Sequence, residues 1–421
     1  MPGKTPKKNQ VYDNYWSFTL GFTDWHEEKS IVTLRTMVEF IDNEMNGRDL
    51  VVMAQADRVR LYKLLMSKIN PARKAAGVEE IDAGGQKRGE TGGQKRGETD
   101  AEWDKRKEFI IRKTLNHFVK LGFIEPGLTK YHDKTRQYLD TKSEGLRARI
   151  FSEIAYENSH FEDSCTEMHK KRRKHVDFFI KTLEHAKAIT KSDLFALMYT
   201  KEIEKYPNGY LTREELDVQS KKAQQKTVLP LVNLKNFEKR KKVQFSHTWN
   251  LFSTGLQGIT AKKIKNKDTL MFSVDADAIP DETTTRCSRD NYKHRLMKIQ
   301  LQEESEDQVG EARCMVEDLP HPILVNSHIK PWRFCVDADC NELEGAYEPN
   351  NGLLLSRTLD GYFDTGNITF NADGTIKIAD SLPTAVRDHL KGHKIKGCFL
   401  NDERKKFLEW HRDHNKKKFN P

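Results

Sequence analysis

Between residues 324 and 364 the chain runs through an apolar stretch closed by a proline, a second apolar stretch and a pair of carboxylates. That order leaves few folds open. Leu324 and Val325 lead into His328, and Pro331 stops the run because proline cannot donate to a sheet ladder. Asn351 and Gly352 open a second strand signal, Leu353, Leu354 and Leu355. Residues 358–364 read as one or two helical turns, in which Asp360 and Asp364 stand at i and i+4 and share a face. Two carboxylates on one face suit a hard divalent cation such as Mg²⁺, whose remaining positions are filled by water and phosphate oxygens. His328, facing them across the hairpin, is the group that titrates near neutral pH and can take a proton from water. Singly these residues are ordinary: a structural histidine, a turn asparagine, a solvated helix face. Their conjunction points to phosphodiester cleavage.

The residues His328-Ile329-Lys330-Pro331-Trp332, then Asn351-Gly352-Leu353-Leu354-Leu355, then Leu359-Asp360 and Phe363-Asp364 resemble the HNH or ββα-metal endonucleases, and within them the branch typified by many restriction enzymes. The resemblance implies His328 as general base, Asn351 as the residue pinning the loop that orients it, and Asp360 and Asp364 as metal ligands, nine and then four residues beyond the asparagine. It implies Mg²⁺ as cofactor, with Mn²⁺ able to substitute. It extends from about Cys314 through residues 368–376 to residues 408–412. One position departs from the pattern: many members carry Asp or His just before the base as a further ligand, and this chain has Ser327.

A chain of 421 residues with net charge +9 and 32% charged residues is read as a basic protein of several domains with a polyanionic partner. There is no apolar run of about eighteen residues to span a membrane. The basic N-terminus lacks the apolar core of a secretion signal, which makes the cytoplasm the default expectation. The six cysteines are then expected as reduced thiols. A structural zinc, which some relatives of this type carry, is not expected: Cys335 and Cys340 are separated by four residues, and Cys314 and Cys398 are isolated.

The expected class is α+β, a helical, winged-helix-like DNA-reading region followed by a ββα-metal nuclease domain, divided as residues 1–160, 161–285 and 286–421. Residues 15–20 read as a strand and residues 28–46 as a helix, with a second helix ending before Pro71. Residues 84–91 are repeated without change as 92–99, a glycine-rich surface loop. Residues 101–120 form a helix burying Phe109, Ile110, Leu115 and Phe118 and exposing Arg112 and Lys113; Gly122 stops it, and residues 136–139 read as a strand. Helix, glycine stop and strand resemble a winged helix, with a helix for the major groove. A second such unit is read from the apolar helix at 176–186, the cap at Thr190 to Asp193, the cluster from Trp249 to Ile259 and the strand at 270–274. Residues 275–290 look like a linker, and 295–303 like the nuclease domain's leading helix. The DNA contacts are assigned to Lys330 and Arg357 beside the motif, to Arg112 and Lys113, and to Lys171, Arg172, Arg173, Lys241 and Lys263 in the basic runs.

A small nuclease module has little sequence readout, and about 290 residues precede it here. The reading is therefore a type II restriction endonuclease that cuts double-stranded DNA by a one-metal mechanism, partnered by a cognate DNA methyltransferase. The alternatives are a modification-dependent or nicking HNH enzyme, and a DNA-binding protein whose nuclease fold is a relic. One centre attacks one phosphodiester at a time, so a double-strand break needs a stable or transient homodimer on DNA, or sequential nicks.

Overall fold

The computed structural model describes residues 25–81, 99–170, 172–200, 203–225, 245–274 and 287–419. The strand expected at 15–20, all but the last residue of the repeat, most of the linker, Lys171 and Lys241 lie outside them. The chain divides into two compact units, residues 1–273 and 274–421.

The first unit is mainly helical. Its helices α1 (Glu28–Phe40), α2 (Gln55–Ala75), α3 (Asp100–Lys120), α4 (Thr135–Asp140) and α5 (Glu144–Asn158) bury a ring cluster of Phe118, Phe123, Tyr138 and Phe151. Pro71 does not stop α2, which continues a further turn with the proline ring exposed. After α3 the chain turns at Gly122, φ +88°, where a Cβ would lie 2.6 Å from the Asn158 backbone; only glycine allows α3 and α5 to close together there. Phe109 is exposed, not core. The strand expected at 136–139 is α4: Tyr138 and Leu139 are buried side by side, a pairing that a helix turn accommodates and a pleated strand would split between faces. The wing expected beside α3 is therefore absent from those residues.

The rest of this unit carries a three-stranded antiparallel sheet. The element order is α6 (His175–Ala186), β1 (Ile189–Thr190), α7 (Lys191–Tyr199), α8 (Arg213–Gln225), β2 (Ile259–Ile264) and β3 (Lys267–Phe272), with strand order β1-β3-β2. A capping box opens α7: Thr190 Oγ1 accepts from Asp193 N while the Asp193 carboxylate accepts from Thr190 N. Lys265 and Asn266 both have positive φ, the two-residue turn that keeps the hairpin's twist. Its tip, residues 261–267, is exposed.

The second unit is built on a long-looped hairpin. Helix α9 (Asn291–Val309) is longer than the sequence suggested, capped by Asp290, whose carboxylate accepts from Tyr292 N and Lys293 N. Strands β4 (Leu324–His328) and β5 (Gly352–Ser356) pair antiparallel, with His328 opposite Gly352 and Ser327 opposite Leu353. Helix α10 (Arg357–Asp364) follows, capped by Ser356, then the hairpin β6 (Ile368–Phe370) and β7 (Ile376–Ile378), α11 (Thr384–Leu390) and α12 (Asp402–His414). Leu301, Leu353, Leu355, Leu359, Phe363, Phe370 and Leu408 share one core.

Six reduced thiols were expected, but Cys287 and Cys340 form a disulfide, while Cys165, Cys314, Cys335 and Cys398 are free. The partners are 53 residues apart in sequence, one before α9 and one in the β4–β5 loop, so no local spacing announces the bond.

Candidate active site

Alternation along β4 sends His328 and Asn326 to one face of the hairpin and Ser327 to the other. Helix α9 covers the His328 face. The His294 and His328 rings stack 5.3 Å apart, and a Cβ at Gly352 would come within 2.7 Å of Met297 Cε and 2.9 Å of Leu301 Cδ1. Since α10 packs on the same two strands, the opposite face, with Ser327, Leu353 and Leu355, is left to it.

His328 is buried, and its Nε2 lies 3.1 Å from Ala346 O. A carbonyl oxygen only accepts, so this contact places the ring proton on Nε2 and makes Nδ1 the basic nitrogen. Asn351 is fully buried at the far end of the same loop. Its Oδ1 accepts from Lys330 N at 2.7 Å, and its Nδ2 donates to Lys330 O at 2.9 Å and Gly345 O at 2.7 Å. One side chain thus ties both ends of the segment between the strands. Lys330 reaches over the Trp410 ring, 5.9 Å from its centroid, and Trp410 stacks on His414.

On α10, Leu359 and Phe363 are buried, Asp360 is half-buried and Asp364 exposed, so the helix is anchored by one face and presents its carboxylates on the next. Behind it, His411 stacks on Phe363 at 4.1 Å, bonds Thr369 Oγ1 at 2.8 Å, and is pushed down to about 4 by burial. Arg404, fully buried on α12, makes a bidentate ion pair with Glu304 of α9 at 2.9 and 2.7 Å, and donates to Gly352 O at 3.1 Å and Pro349 O at 3.2 Å. It buttresses the turn carrying Asn351.

The structure thus gathers His328, Asn351, Lys330, Asp360, Asp364 and the exposed Arg357 on one hairpin-and-helix module. The remaining candidates belong to the first unit. Lys113 and Lys263 are exposed and Arg112 is half-buried. Arg172 is matched by Glu125 at 2.8 Å and Asp163 at 2.9 Å, and Arg173 by Glu162 at 3.1 Å. Sequence reasoning missed His294, Arg404 and the Ala346 carbonyl. None carries a motif signal, and only the packing of α9 and α12 brings them to the site.

Residues 314–371 match the family model described as HNH endonuclease. That span holds β4, β5, α10 and β6, and with them all four residues of the motif. The HNH domain supports a nuclease enzyme, for which DNA is the implied substrate. No curated protein matches the chain. No helix among the described residues is long and apolar enough to cross a membrane.

HNH nucleases typically use a divalent metal ion. Among the described residues no group of three His, Cys, Asp or Glu side chains forms a metal cluster. The oxygens that α10 and β4 offer here are the carboxylates of Asp360 and Asp364 and the hydroxyl of Ser327. Ser327 is 1% exposed, its Oγ has no hydrogen-bond partner among the described residues, and alternation puts it on the α10 side of the hairpin. A buried oxygen left without a partner costs free energy that a ligand would relieve. All three donors are hard oxygens, which fits a small divalent cation.

Proposed function

We propose that the protein is a metal-dependent, site-specific double-stranded DNA endonuclease of the type II restriction kind, with His328 as general base. The observation that carries the reading is the fixed loop. Asn351 closes the segment that presents Ala346 O to His328 Nε2, so the imidazole is held in one tautomer with Nδ1 as proton acceptor. Nδ1 takes the proton of a water whose oxygen bonds to phosphorus as the bond to the leaving sugar oxygen breaks. Asp360, Asp364 and Ser327 Oγ would hold Mg²⁺, which when bound stabilises the charge developing on the phosphate. Lys330 and Arg357 flank this centre as phosphate contacts.

The sequence-reading part falls to the first unit. Among its described residues the order of helix, strand, two helices, a helical segment at 245–255 and a hairpin, with the strands arranged β1-β3-β2, supports a winged-helix reading for residues 175–272, with the exposed lysine-rich hairpin as the wing. Lys263 and Lys113 are the exposed cations for the DNA backbone, and the matched Arg172 and Arg173 come second.

The test is cleavage of mixed-sequence DNA with Mg²⁺, followed by mapping of the ends on methylated and unmethylated substrate. Discrete ends on unmethylated DNA are expected, with His328→Ala binding DNA but cutting at least about 10²-fold more slowly. Cleavage only of methylated DNA would select the modification-dependent alternative. Undiminished cutting by His328→Ala would refute the assigned base.

A further inference from the structure

The disulfide closes a ring of contacts around His328. From Cys287 the chain enters α9, where His294 stacks on the base at 5.3 Å; the base donates to Ala346 O; and Ala346 lies in the loop that returns to Cys340 and the sulfur bridge. Two further ties run parallel to it. Asp290 N donates to Tyr347 Oη at 2.6 Å, and Lys293 pairs with Glu342 at 2.8 Å. The two walls that hold the imidazole, the α9 ring and the loop carbonyl, are thus joined by one covalent bond and a few polar contacts.

We propose that the Cys287–Cys340 disulfide is a redox-sensitive clamp on the base-holding loop, and that its reduction slows cleavage by letting the loop carbonyl and the His294 ring drift apart. The proposal rests on the nuclease reading. The exchange is a balanced two-electron step. Two molecules of a low-molecular-weight thiol of the glutathione class give up their protons and electrons and leave as their disulfide, while Cys287 and Cys340 become thiols. Cys340 is exposed and Cys287 half-buried, so the bond can be reached. The neighbouring Cys335 is fully buried, with its thiol pushed up to about 11 by burial, which keeps it from competing for the bridge. Because the Tyr347 and Lys293 ties survive reduction, the loop is loosened, not released, and a graded loss of rate follows. A displacement of about 1 Å at a positioned group can cost up to about 10²-fold.

The experiment compares the wild-type chain treated with oxidised glutathione or with dithiothreitol, the state of Cys287 and Cys340 being read by alkylation and peptide mass. Single-turnover DNA cleavage is measured alongside amide hydrogen exchange over residues 335–348, the latter in chelator and without DNA. The oxidised form is expected to cut about tenfold faster with KM unchanged, and its loop to exchange more slowly. Cys287→Ser and Cys340→Ser should match reduced wild type and ignore dithiothreitol. Equal rates and equal exchange in both states would overturn the clamp, as would both thiols remaining free after oxidised glutathione. If neither state cuts DNA while exchange still differs, the nuclease reading fails and the clamp stands.

Discussion

The two units bury polar groups in different ways. In the second, Asn351, His328 and Arg404 all converge on the β4–β5 loop and its flanking turn, and most of their hydrogen-bond partners are backbone carbonyls or amides of that one segment. In the first, buried His117, His175 and Asp163 are spread over several elements, while the cations Lys113 and Lys263 stand in solvent. A network focused on one loop fixes atoms to within a fraction of an ångström, as proton transfer requires. Exposed lysines on helices and a hairpin supply charge, for which position matters less. On the proposed reading, chemistry belongs to one unit and adhesion to the other.

The strongest way to break that division is on α10. Asp360→Ala or Asp364→Ala is expected to reduce metal-supported cleavage by at least about 10²-fold, and excess chelator should do the same to the wild type. Activity surviving the chelator would remove the metal from the account. Asn351→Ala comes next. Losing three hydrogen bonds at a fully buried site should lower the stability of the second unit by about 2–4 kcal/mol and slow cleavage even where the protein stays folded. Denaturant unfolding alongside single-turnover kinetics separates the two effects.

Acid sharpens the contrast at the level of stability. Burial pushes His117 and His175 down to about 3 and His26 to about 4 in the first unit, and His411 to about 4 in the second. Each is lowered from an ordinary value of 6.5, so between that pH and the folded value the unfolded chain binds the extra protons. Stability from these groups is complete above about pH 6.5 and is lost progressively as pH falls toward 3 to 4. Burial lowers His160 as well, so among the described residues the first unit holds four such groups against one, and its melting transition should move down more steeply below pH 6.5 in calorimetry; parallel shifts would contradict this. The smallest effect is on Lys263. Replacing it by Ala should weaken DNA binding a few-fold and flatten the salt dependence by about one counterion while leaving the chemical step alone. A change in kcat with unaltered binding would move Lys263 out of the adhesive class.

The HNH module was the most legible part of the chain. Its signals are local: a proline-closed strand, an Asn-Gly opening and an i,i+4 carboxylate pair, each set by backbone geometry over a few residues. The capping box at Thr190 and Asp193 was readable for the same reason. Residues 136–139 were misread because only Tyr138 and Leu139, adjacent to each other, are apolar there, and two neighbouring apolar residues have no period to distinguish helix from strand. Pro71 was misread because a proline near a helix end with an exposed ring removes one hydrogen bond without ending the helix. The supports of the site, His294, Arg404 and the Cys287–Cys340 bond, join residues far apart in the chain, and such pairings leave no mark in local pattern.

Arg404 carries one more consequence. The matched segment stops at residue 371, yet the Asn351 turn leans on a guanidinium that arrives from α12 and is held by Glu304 of α9. A fragment trimmed to residues 314–371 would lack both, exposing the Gly352 carbonyl and the Leu301 and Leu408 side of its core to water. The smallest portable piece of this protein is therefore larger than its motif. Anyone grafting the cutting site onto another scaffold would have to carry the helices on either side of it as well.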